Sequence, residues 1–446
     1  MACHPIIRIP SGFGCSRIQA DSEPNLTIPA MTRIVDMVLL LAAAATALWW
    51  VPRMIARGRH RTDWRGRFGH AEALPPPPAG GRVVLHAVSV GEVGAIRGLV
   101  DALAAKQDMD IVIASTTDTG VARANELFGD RHAVVRWPLD FSWAVKRFLK
   151  AVQPTVVGLV ELEVWPNATA ICKARGIPTV VVSGRLSDRS HRRYRWIRSL
   201  VRPMFRRLAA VGAQSREIAD RFVDLGAAKE RVHVVGNLKW DSVQLADGDS
   251  EHTNRLATDL GIDQSKPIVV GGSTAPGEEA MLREACPEGV QLLCAPRRPE
   301  WWDEAAEVLA PCVRRSSGEP GRKDTSRFLL DTIGELGWAY GFADVVVVGR
   351  SFGDLHGSDP VEPIARGAAT VIGPAVSDFK NTIDVLVAGG GLIQCLPEQL
   401  SSTLHDLLAN PKVRDELVQQ GQRVIHEQQG ATARCVALLL EPGSAV

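Results

Sequence analysis

Residues 82–93 read Arg-Val-Val-Leu-His-Ala-Val-Ser-Val-Gly-Glu-Val, a mostly apolar run that ends in a glycine and an acid. Its β-branched part, residues 83–90, is typical of a strand that is buried on both faces of a parallel sheet. The stretch that follows, residues 93–105, has the amphipathic spacing of a helix. A strand followed directly by a helix is the repeating unit of an α/β domain with a parallel sheet.

The same alternation continues along the chain. Further short strands of the first half are predicted at residues 111–114, 155–160, 179–182, 211–214 and 232–236. A second series is predicted at residues 267–272, 290–295, 327–330, 344–348, 369–372 and 391–395. The sequence therefore predicts two doubly wound α/β domains that face each other across a cleft.

The chain has 446 residues, which is too long for one ordinary core and favours two domains. The predicted division is a disordered or mis-assigned start (1–30), a membrane anchor with a basic juxtamembrane segment (31–74), a first domain (82–241), a polar linker (242–264), a second domain (265–430) and a C-terminal tail (431–446). The Pro/Gly-rich residues 75–81 separate the anchor region from the first domain.

Composition and missing motifs exclude several classes of protein. The net charge of +1 gives no reason to expect nucleic acid as a partner. The eight cysteines form no C-x-x-C pair, so reduced thiols are expected rather than a zinc site or a disulfide framework. Neither half contains G-x-G-x-x-G or a P-loop, which disfavours a dinucleotide oxidoreductase and an ATPase.

Residues 34–51 are almost wholly apolar and end near Trp49 and Trp50. As a helix they would span roughly 27 Å, slightly less than a hydrocarbon core. Arginines follow at positions 53, 57, 59, 61, 65 and 67, and positive charge favours the cytoplasmic side. We expect a single N-terminal anchor in the cell inner membrane with the domains on the cytoplasmic side. A cleaved signal peptide and a buried helix are the alternatives.

Candidate site residues of the first half follow its predicted strands. Glu92 begins a helix, where the helix dipole favours its charged form. Glu161 and Glu163 follow the strand at 155–160, and strand alternation would place both on one face. Arg185 and Lys239 follow later strands and bring cations to the same edge, which suits a phosphate or a sugar carboxylate.

The second half suggests a nucleotide-linked donor. Small polar residues at 272–274 precede an acidic helix start, and such a point can hold an anion. Arg297 and Arg298 follow the next strand, while Glu335, Asp359 and Glu362 lie near probable helix starts. Acids beside a nucleotide commonly hold ribose hydroxyls, and arginine commonly holds phosphate.

These residues, in this order, resemble the 3-deoxy-D-manno-octulosonic acid (Kdo) transferases, glycosyltransferase family 30. The resemblance covers roughly residues 31–430, and each piece alone is weakly specific. The matching pieces are Arg65-Gly-Arg67-Phe-Gly69, His86-Ala-Val-Ser-Val-Gly-Glu92, Ser115-Thr-Thr117 with Thr119-Gly120, Glu161-Leu-Glu163 with Trp165-Pro-Asn167, Arg185-Leu-Ser187, Gly236-Asn-Leu-Lys239, Ala295-Pro-Arg297, Asp331-Thr-Ile-Gly-Glu335-Leu336, Glu362-Pro363 and Gly373-Pro374.

The resemblance implies a GT-B fold with an N-terminal membrane anchor. It implies inverting transfer of Kdo from CMP-Kdo to a lipid A precursor, a lipid IVA-like acceptor, in lipopolysaccharide core biosynthesis. Glu92 matches the family's base, and Glu161 and Lys239 match its transition-state stabilisers. No metal or other cofactor is expected, and the partners are CMP-Kdo, the acceptor lipid and a membrane surface. The residues that match the family's CMP contacts are Pro296, Arg297, Ile333, Gly334, Glu335, Asp359, Pro360, Val361 and Glu362.

The chain departs from the family pattern on the donor side. Arg298 replaces a histidine, Arg350 a glycine, Ser358 a histidine and Asp359 an asparagine. An acid cannot donate the hydrogen bonds that an amide donates, so the change at Asp359 bears on the donor. Two alternatives stay open at this point: a GT-B enzyme that uses another nucleotide-sugar (a UDP-sugar transferase or an epimerase), and a non-catalytic membrane-bound binding protein.

Overall fold

The computed structural model describes residues 28–56, 61–106, 108–241, 250–322 and 324–442. Most of the start predicted at 1–30, namely residues 1–27, lies outside this range. The anchor and juxtamembrane region contains three helices: α1 (Ile28–Ala45), α2 (Ala47–Ala56) and α3 (Trp64–Arg67).

The anchor predicted at 34–51 is a bent pair of helices rather than one straight helix. α1 and α2 meet at Thr46, whose hydroxyl donates to the carbonyl of Ala42 at 2.6 Å, and the pair bends by 72°. In the described part of the chain, no single helix is long and apolar enough to cross a membrane. The bent pair passes the same test by length and composition only.

The first domain is built on a seven-stranded parallel sheet in the order β3-β2-β1-β4-β5-β6-β7. Its strands are β1 (Arg82–His86), β2 (Asp110–Ser115), β3 (Ala133–Arg136), β4 (Val156–Val160), β5 (Thr179–Gly184), β6 (Ala210–Ala213) and β7 (Val232–Val234). Its helices are α4 (Val90–Ala95), α5 (Arg97–Ala104), α6 (Asp118–Phe128), α7 (Ser142–Val152), α8 (Pro166–Ala174), α9 (Asp188–Trp196), α10 (Arg198–Arg206), α11 (Arg216–Leu225) and α12 (Leu238–Asp241).

The second domain repeats this layout with a parallel sheet in the order β10-β11-β9-β8-β12-β13-β14. Its strands are β8 (Ile268–Thr274), β9 (Gln291–Pro296), β10 (Val313–Arg314), β11 (Arg327–Leu329), β12 (Val345–Val348), β13 (Ala369–Ile372) and β14 (Ile393–Gln394). The helices of the second half are α13 (Ser250–Leu260), α14 (Glu278–Ala285), α15 (Trp302–Leu309), α16 (Leu336–Tyr340), α17 (Val361–Ala365), α18 (Lys380–Ala388), α19 (Leu400–Ala409), α20 (Pro411–Gln428) and α21 (Ala431–Leu440).

Each sheet is buried on both faces. Along β1, Val84 packs into one apolar cluster, while Val83 and Leu85 pack into the cluster on the opposite face. In the second domain, Val270 and Val269 divide between two clusters in the same way. The prediction of two doubly wound α/β domains is therefore confirmed. The strand order reverses between β1 and β4 in the first sheet and between β8 and β12 in the second, and ligands of such sheets bind outside the carboxyl ends of the strands at such a point.

Two predicted boundaries differ from the structure. Within the linker predicted at 242–264, α13 forms and buries Leu256, Ala257 and Leu260 in the second-domain core beside Trp240. Residues 242–249 of that linker lie outside the described residues. The few apolar residues of this polar stretch share one helix face, which is enough to dock it.

The tail predicted at 431–446 begins with α21, which packs against the first domain. Ala431, Cys435, Leu438 and Leu439 lie in the same apolar cluster as Leu85 of β1. The sequence period indicates a helix here, but it carries no information about which core the helix joins. The edge strand β3 was also missed, because its four residues are only partly buried.

Candidate active site

Glu92 lies at the start of α4, directly after β1, where the strand order of the first sheet reverses. Its carboxylate accepts hydrogen bonds from the Val88 N–H at 2.9 Å and from the Ser89 hydroxyl at 2.8 Å. Ser89 in turn caps α4 by accepting from the Glu92 N–H at 3.3 Å. This reciprocal cap holds the carboxylate at the edge of the sheet where ligands bind.

The turn before Glu92 is fixed by the segment after β2. The hydroxyls of Ser115 and Thr117 both donate to the carbonyl of Val88, at 3.2 and 2.6 Å. Thr117 also caps α6 by accepting from the Gly120 N–H. A β-carbon on Gly120 would lie 2.3 Å from the Ser115 hydroxyl oxygen, so this close packing requires glycine.

Glu161 and Glu163 occupy a loop after β4 rather than a continuation of the strand. β4 ends at Val160, and Glu161 has a φ of +58°, which turns the chain out of the sheet. A left-handed conformation is uncommon for a residue other than glycine, and such strain concentrates at functional sites. The Glu163 carboxylate accepts from the indole N–H of Trp165 at 2.9 Å. Strand alternation, which we predicted to place Glu161 and Glu163 on one face, therefore does not explain why these two carboxylates lie near each other.

Electrostatics link these acids to Glu92. Burial raises the pKa of Glu161 and of Glu163, and the nearby charge of Glu92 raises both further. The cations Lys239 and Arg185 act in the opposite direction on the pKa of Glu161. The structure therefore brings the three predicted catalytic residues, Glu92, Glu161 and Lys239, into one electrostatic cluster. Their chemical roles stay predictions.

Lys239 lies on α12, at the passage from the first domain to the second. Its N–H donates to the Asn237 side-chain carbonyl at 3.0 Å. Its ammonium group lies 6.0 Å from the ring centre of Phe379, a residue of the second domain. Burial raises the pKa of Asp359, and the charge of Lys239 opposes this rise. Lys239 therefore interacts with acids of both domains.

Three of the predicted donor residues, Arg297, Asp359 and Glu362, interact electrostatically with a buried residue that the sequence did not identify, Tyr340. Burial raises the pKa of Tyr340, the charges of Glu362 and Asp359 raise it further, and the charge of Arg297 lowers it. Arg297 follows the buried Pro296 at the end of β9, and its N–H donates to the Thr274 carbonyl at 2.9 Å. The small number of tyrosines in the sequence, two, is no signal for a site, because buried tyrosines also occur in ordinary cores.

The segment Ile333-Gly334-Glu335 precedes α16. Ile333 is exposed, and Gly334 has a φ of +95° with open space around it. The Glu335 carboxylate pairs with Arg315 at 3.0 Å and accepts from the Thr332 hydroxyl, so the pKa of Glu335 is lowered although burial opposes this. Beside it is a cavity of about 190 Å³, which is lined by His252, Arg255, Leu256, Asp259, Arg315, Glu335 and Trp338.

The segment Asp359-Pro360-Val361-Glu362 forms the start of α17. The Asp359 carboxylate accepts from the Val361 N–H at 3.0 Å, across the N-cap residue Pro360. Glu362 lies over α16, since a β-carbon on Gly337 would be 2.5 Å from its carboxylate. The asparagine-to-aspartate departure thus keeps this hydrogen bond, because the bond uses a side-chain oxygen that both residues have.

Directly after residues 272–274, where an anion site was suggested, backbone N–H groups bind a side chain of the protein. The buried Glu278 carboxylate accepts from the N–H groups of Ala275, Arg350, Ser351 and Phe352. It therefore satisfies the turn after β8 and holds the loop after β12 against it. A carboxylate at a helix start was expected to flank an external anion, but here it takes the anion's place.

A further ionisable group at the edge of the first sheet, His86, is packed inside the protein. His86 is fully buried, stacks on Trp137 at 4.3 Å between ring centres, and contacts the Thr116 hydroxyl at 2.9 Å. Burial lowers the pKa of His86 to about 3, so it is neutral at physiological pH. Among the residues for which coordinates are described, no group of three or more His, Cys, Asp or Glu is arranged to hold a metal ion.

Solved structures with the same two-domain architecture include nucleotide-sugar proteins. HepE from Anabaena in complex with UDP is 12% identical with a TM-score of 0.55, over 79% of this chain and 96% of that chain. UDP-GlcNAc 2-epimerase from Neisseria meningitidis bound to UDP-GlcNAc is 11% identical with a TM-score of 0.53, over 78% of this chain and 99% of that chain. At this identity the likeness shows the GT-B fold alone.

Sequence relatives match almost end to end. Residues 62–242 match the family model described as 3-Deoxy-D-manno-octulosonic-acid transferase (kdotransferase). The 3-deoxy-D-manno-octulosonic acid transferase of Haemophilus influenzae is 32% identical over 92% of this chain and 98% of that protein. That of Bordetella pertussis is 34% identical over 90% of this chain and 97% of that protein. With this coverage and identity, the chain belongs to the 3-deoxy-D-manno-octulosonic acid transferase family.

Proposed function

We propose that this chain transfers Kdo from CMP-Kdo to a lipid A precursor in lipopolysaccharide core biosynthesis, with inversion at the anomeric carbon. Membership of the family supports the reaction type. The observation that carries the site assignment is the position of Lys239, which interacts with Glu161 of the first domain and with Asp359 of the second. An acceptor beside the first domain and a donor beside the second would meet at this residue.

Glu92 acts as the base in this proposal. Its two hydrogen bonds, from the Val88 N–H and the Ser89 hydroxyl, fix the carboxylate while leaving lone pairs for the acceptor hydroxyl. As that oxygen bonds to the anomeric carbon, its proton passes to Glu92 and the bond from the anomeric carbon to the CMP phosphate oxygen breaks. A positioned base of this kind contributes roughly 10²–10⁴-fold to the rate.

Positive charge stabilises the departing phosphate. Lys239 of the first domain and Arg297 of the second supply this charge, and Glu161 orients Lys239; their electrostatic interactions with acids and with Tyr340 support this assignment. Glu335, Asp359 and Glu362 hold hydroxyls of the donor. The leaving group carries a single phosphate, and side-chain cations can neutralise it, so we expect transfer to need no added metal and to survive a chelator.

The proposal includes attachment to the inner membrane, with both domains on the cytoplasmic side. Support comes from exposed apolar residues on α1 and α2, among them Leu41 and Trp49. A second apolar group lies where α9 meets α10: Trp196 is 93% exposed and Leu200 76% exposed. The surrounding exposed arginines are Arg192, Arg193, Arg195 and Arg198. Aromatic and basic residues together suit an anionic lipid surface.

Flotation with anionic and with neutral vesicles tests this attachment. We expect Trp196→Ser combined with Leu200→Ser to weaken binding to vesicles that contain acidic lipid. Equal recovery of the double variant and the wild type would contradict a contribution of this surface.

The test of the function is a transfer assay with CMP-Kdo and a tetra-acylated lipid A precursor. We expect the wild type to form product and Glu92→Ala to lose at least about 10²-fold in kcat. The control Glu126→Ala removes an exposed acid of α6 and should keep full activity. Titration with CMP and with UDP separates the donor classes. A wild type that makes no product and prefers UDP would overturn the proposal.

A further inference from the structure

Two acids that the proposed reaction does not use, Asp36 and Asp140, lie where α1 packs against α7 and α8. α7 follows Phe141 and α8 follows Trp165, and neither residue caps its helix with a side chain. The first N–H groups of a helix have no partner within the helix and need acceptors from elsewhere. Acids from other elements supply those acceptors here.

Asp36 belongs to α1, the first helix of the apolar N-terminal region. One carboxylate oxygen accepts from the Ser142 N–H at 2.8 Å and from the side-chain amide of Asn167 at 2.9 Å. The other oxygen accepts from the Ser142 hydroxyl at 2.6 Å. Asp36 therefore caps α7 and is hydrogen-bonded to α8 at the same time. An acid in an apolar helix is costly in lipid, whereas here its carboxylate is bound by the protein.

Asp140 lies in the segment before α7 and completes the junction, by which we mean the place where α1 meets the starts of α7 and α8. Its carboxylate accepts from the N–H groups of Asn167 and Ala168, at 2.9 and 2.8 Å, and so caps α8. The side-chain amide of Asn167 also donates to the Asp140 carbonyl at 2.6 Å. Burial raises the pKa of Asp140 to about 7, and the charge of Asp36 adds to this rise. Burying two acids so close together is unfavourable unless hydrogen bonds to their carboxylates offset the cost.

The junction is directly continuous with the acid loop of the site. Asn167 is the second residue of α8, and the loop that carries Glu161 and Glu163 ends at Trp165, immediately before that helix. The bonds to Asn167 therefore fix the point at which the loop rejoins the domain. Since Glu161 lies in a strained left-handed conformation, the loop needs such fixed ends to keep it.

We infer that Asp36 is a positioning residue: by docking α1 on the starts of α7 and α8, it holds the acid loop of Glu161 and Glu163 in place beside Glu92. The inference rests on the proposed function, in which this acid cluster acts in transfer. It assigns the N-terminal helix a part in the reaction besides attachment to a membrane. The acid loop is in place only while α1 is docked.

Three variants of the full-length chain test this role in the transfer assay. Asp36→Ala removes all three hydrogen bonds. Asp36→Asn can keep them, because its carbonyl oxygen accepts the two bonds on one side and its amide donates to the Ser142 hydroxyl, which can rotate to accept. Met37→Ala is the matched control, since Met37 is the next residue of α1 and its side chain is 55% exposed.

We expect Asp36→Ala to lower kcat by at least about tenfold with the KM for CMP-Kdo nearly unchanged, and Asp36→Asn to recover most of that loss. The pH profile of kcat gives a readout that loss of folded protein would not move. Burial raises the pKa of Glu161 and of Glu163 while the loop is in place. Release of the loop hydrates its acids, so the acid limb of Asp36→Ala should move to lower pH.

The outcomes separate the inference from the proposed function. A wild type without transfer activity defeats the proposed function. An active wild type with full kcat in Asp36→Ala, or with a loss that tracks the unfolded fraction and leaves the acid limb unmoved, overturns the inference. If Asp36→Ala does not fold, Ser142→Ala removes the 2.6 Å bond alone and should lower kcat several-fold with the same shift of the acid limb. Wild-type kinetics in Ser142→Ala would then overturn the inference.

Discussion

At the residue scale, Lys239 is a cation that interacts with acids of both domains. The charge of Lys239 acts on Glu161 of the first domain, whose pKa is raised by burial and by the charge of Glu92. It also acts on Asp359 of the second domain, whose pKa is raised by burial. Acids whose pKa is shifted by burial and by nearby charges are typical of catalytic sites. The placement of Lys239 on α12 makes it sensitive to the relative position of the two domains.

Replacing Lys239 should therefore affect the reaction more than the fold. We expect Lys239→Ala to lower kcat by at least about 10²-fold, because a charge aimed at the leaving phosphate acts mainly in the transition state. Lys239→Arg should retain part of the activity. Lys412→Ala, at an exposed position on α20, is the control. Steady-state kinetics with both substrates measure the effect, and an unchanged kcat in Lys239→Ala would exclude the role.

Asp140 makes a separate prediction about stability. The pKa of Asp140 is raised to about 7 in the folded state, compared with roughly 3.9 in an unfolded chain. Between these values the folded state binds more protons, so the free energy of unfolding falls as pH rises. Asp140→Asn removes this titration. Its urea midpoint should therefore change less than that of the wild type between about pH 4.5 and about pH 7.5.

Other acids whose pKa is raised keep their part of the slope in both proteins, namely Glu161, Glu163, Glu279, Asp359 and Glu362. The comparison of slopes thus isolates Asp140. Equal pH dependence of the two midpoints would contradict the assigned surroundings of this carboxylate.

At the scale of elements, the connection from β1 to α4 depends on its neighbour α6. The Val88 carbonyl accepts from the hydroxyl of Ser115 at the end of β2 and from that of Thr117 just before α6, and Gly120 lets the start of α6 approach closely. Glu92 therefore owes its position to two βα units rather than one. A sequence motif of strand, glycine and acid describes only the first of them.

Gly120→Ala should disturb this connection. Its β-carbon would lie 2.7 Å from both the Thr117 hydroxyl oxygen and the Val88 carbonyl oxygen. We expect a loss of roughly 1–3 kcal/mol in the free energy of unfolding together with reduced kcat. Gly98→Ala in α5 meets only the Thr432 hydroxyl oxygen, at 3.7 Å, and serves as the control. Thermal unfolding and the transfer assay measure both. Equal stability of the two variants would count against the packing argument.

At the scale of the whole molecule, the chain passes between its domains at a junction closed by Asp241. The Asp241 carboxylate accepts from the N–H groups of Gly430 and Thr432, at 2.8 and 2.5 Å, and so caps α21 where it returns to the first domain. Arg434 adds a bond to the Val235 carbonyl at 2.9 Å. Helix α21, which follows the second domain in the sequence, therefore packs as part of the first domain.

Removal of residues 431–446 should therefore damage the first domain more than the second. α21 packs against α5, β5 and β6, and its residues Ala431, Cys435, Leu438 and Leu439 are almost wholly buried there. We expect faster amide hydrogen exchange in these three elements, with little change in β8 and β9. Removal of residues 441–446 alone is the control. Protection that is lost equally in both sheets would contradict this assignment.

Much of the fold was predictable because buried parallel strands are continuous apolar runs. β1, β4 and β13 were located to within a few residues in this way, whereas the half-buried β3 was missed. The acids and cations of the site were identified because each follows such a strand. Tyr340 and Glu278 were not assigned to the site, since their roles arise from contacts between segments far apart in sequence.

The sequence by itself determined the two α/β domains and the family, and it predicted the side chains of the site, because local periodicity and ordered motifs encode them. Only the tertiary structure decided which core α21 joins, how α1 bends away from α2 and docks through Asp36, and that the Glu278 carboxylate fills the expected anion site. The physical reason is that an amphipathic helix or an acid specifies the kind of partner it needs. Which partner it finds depends on the packing of the rest of the chain.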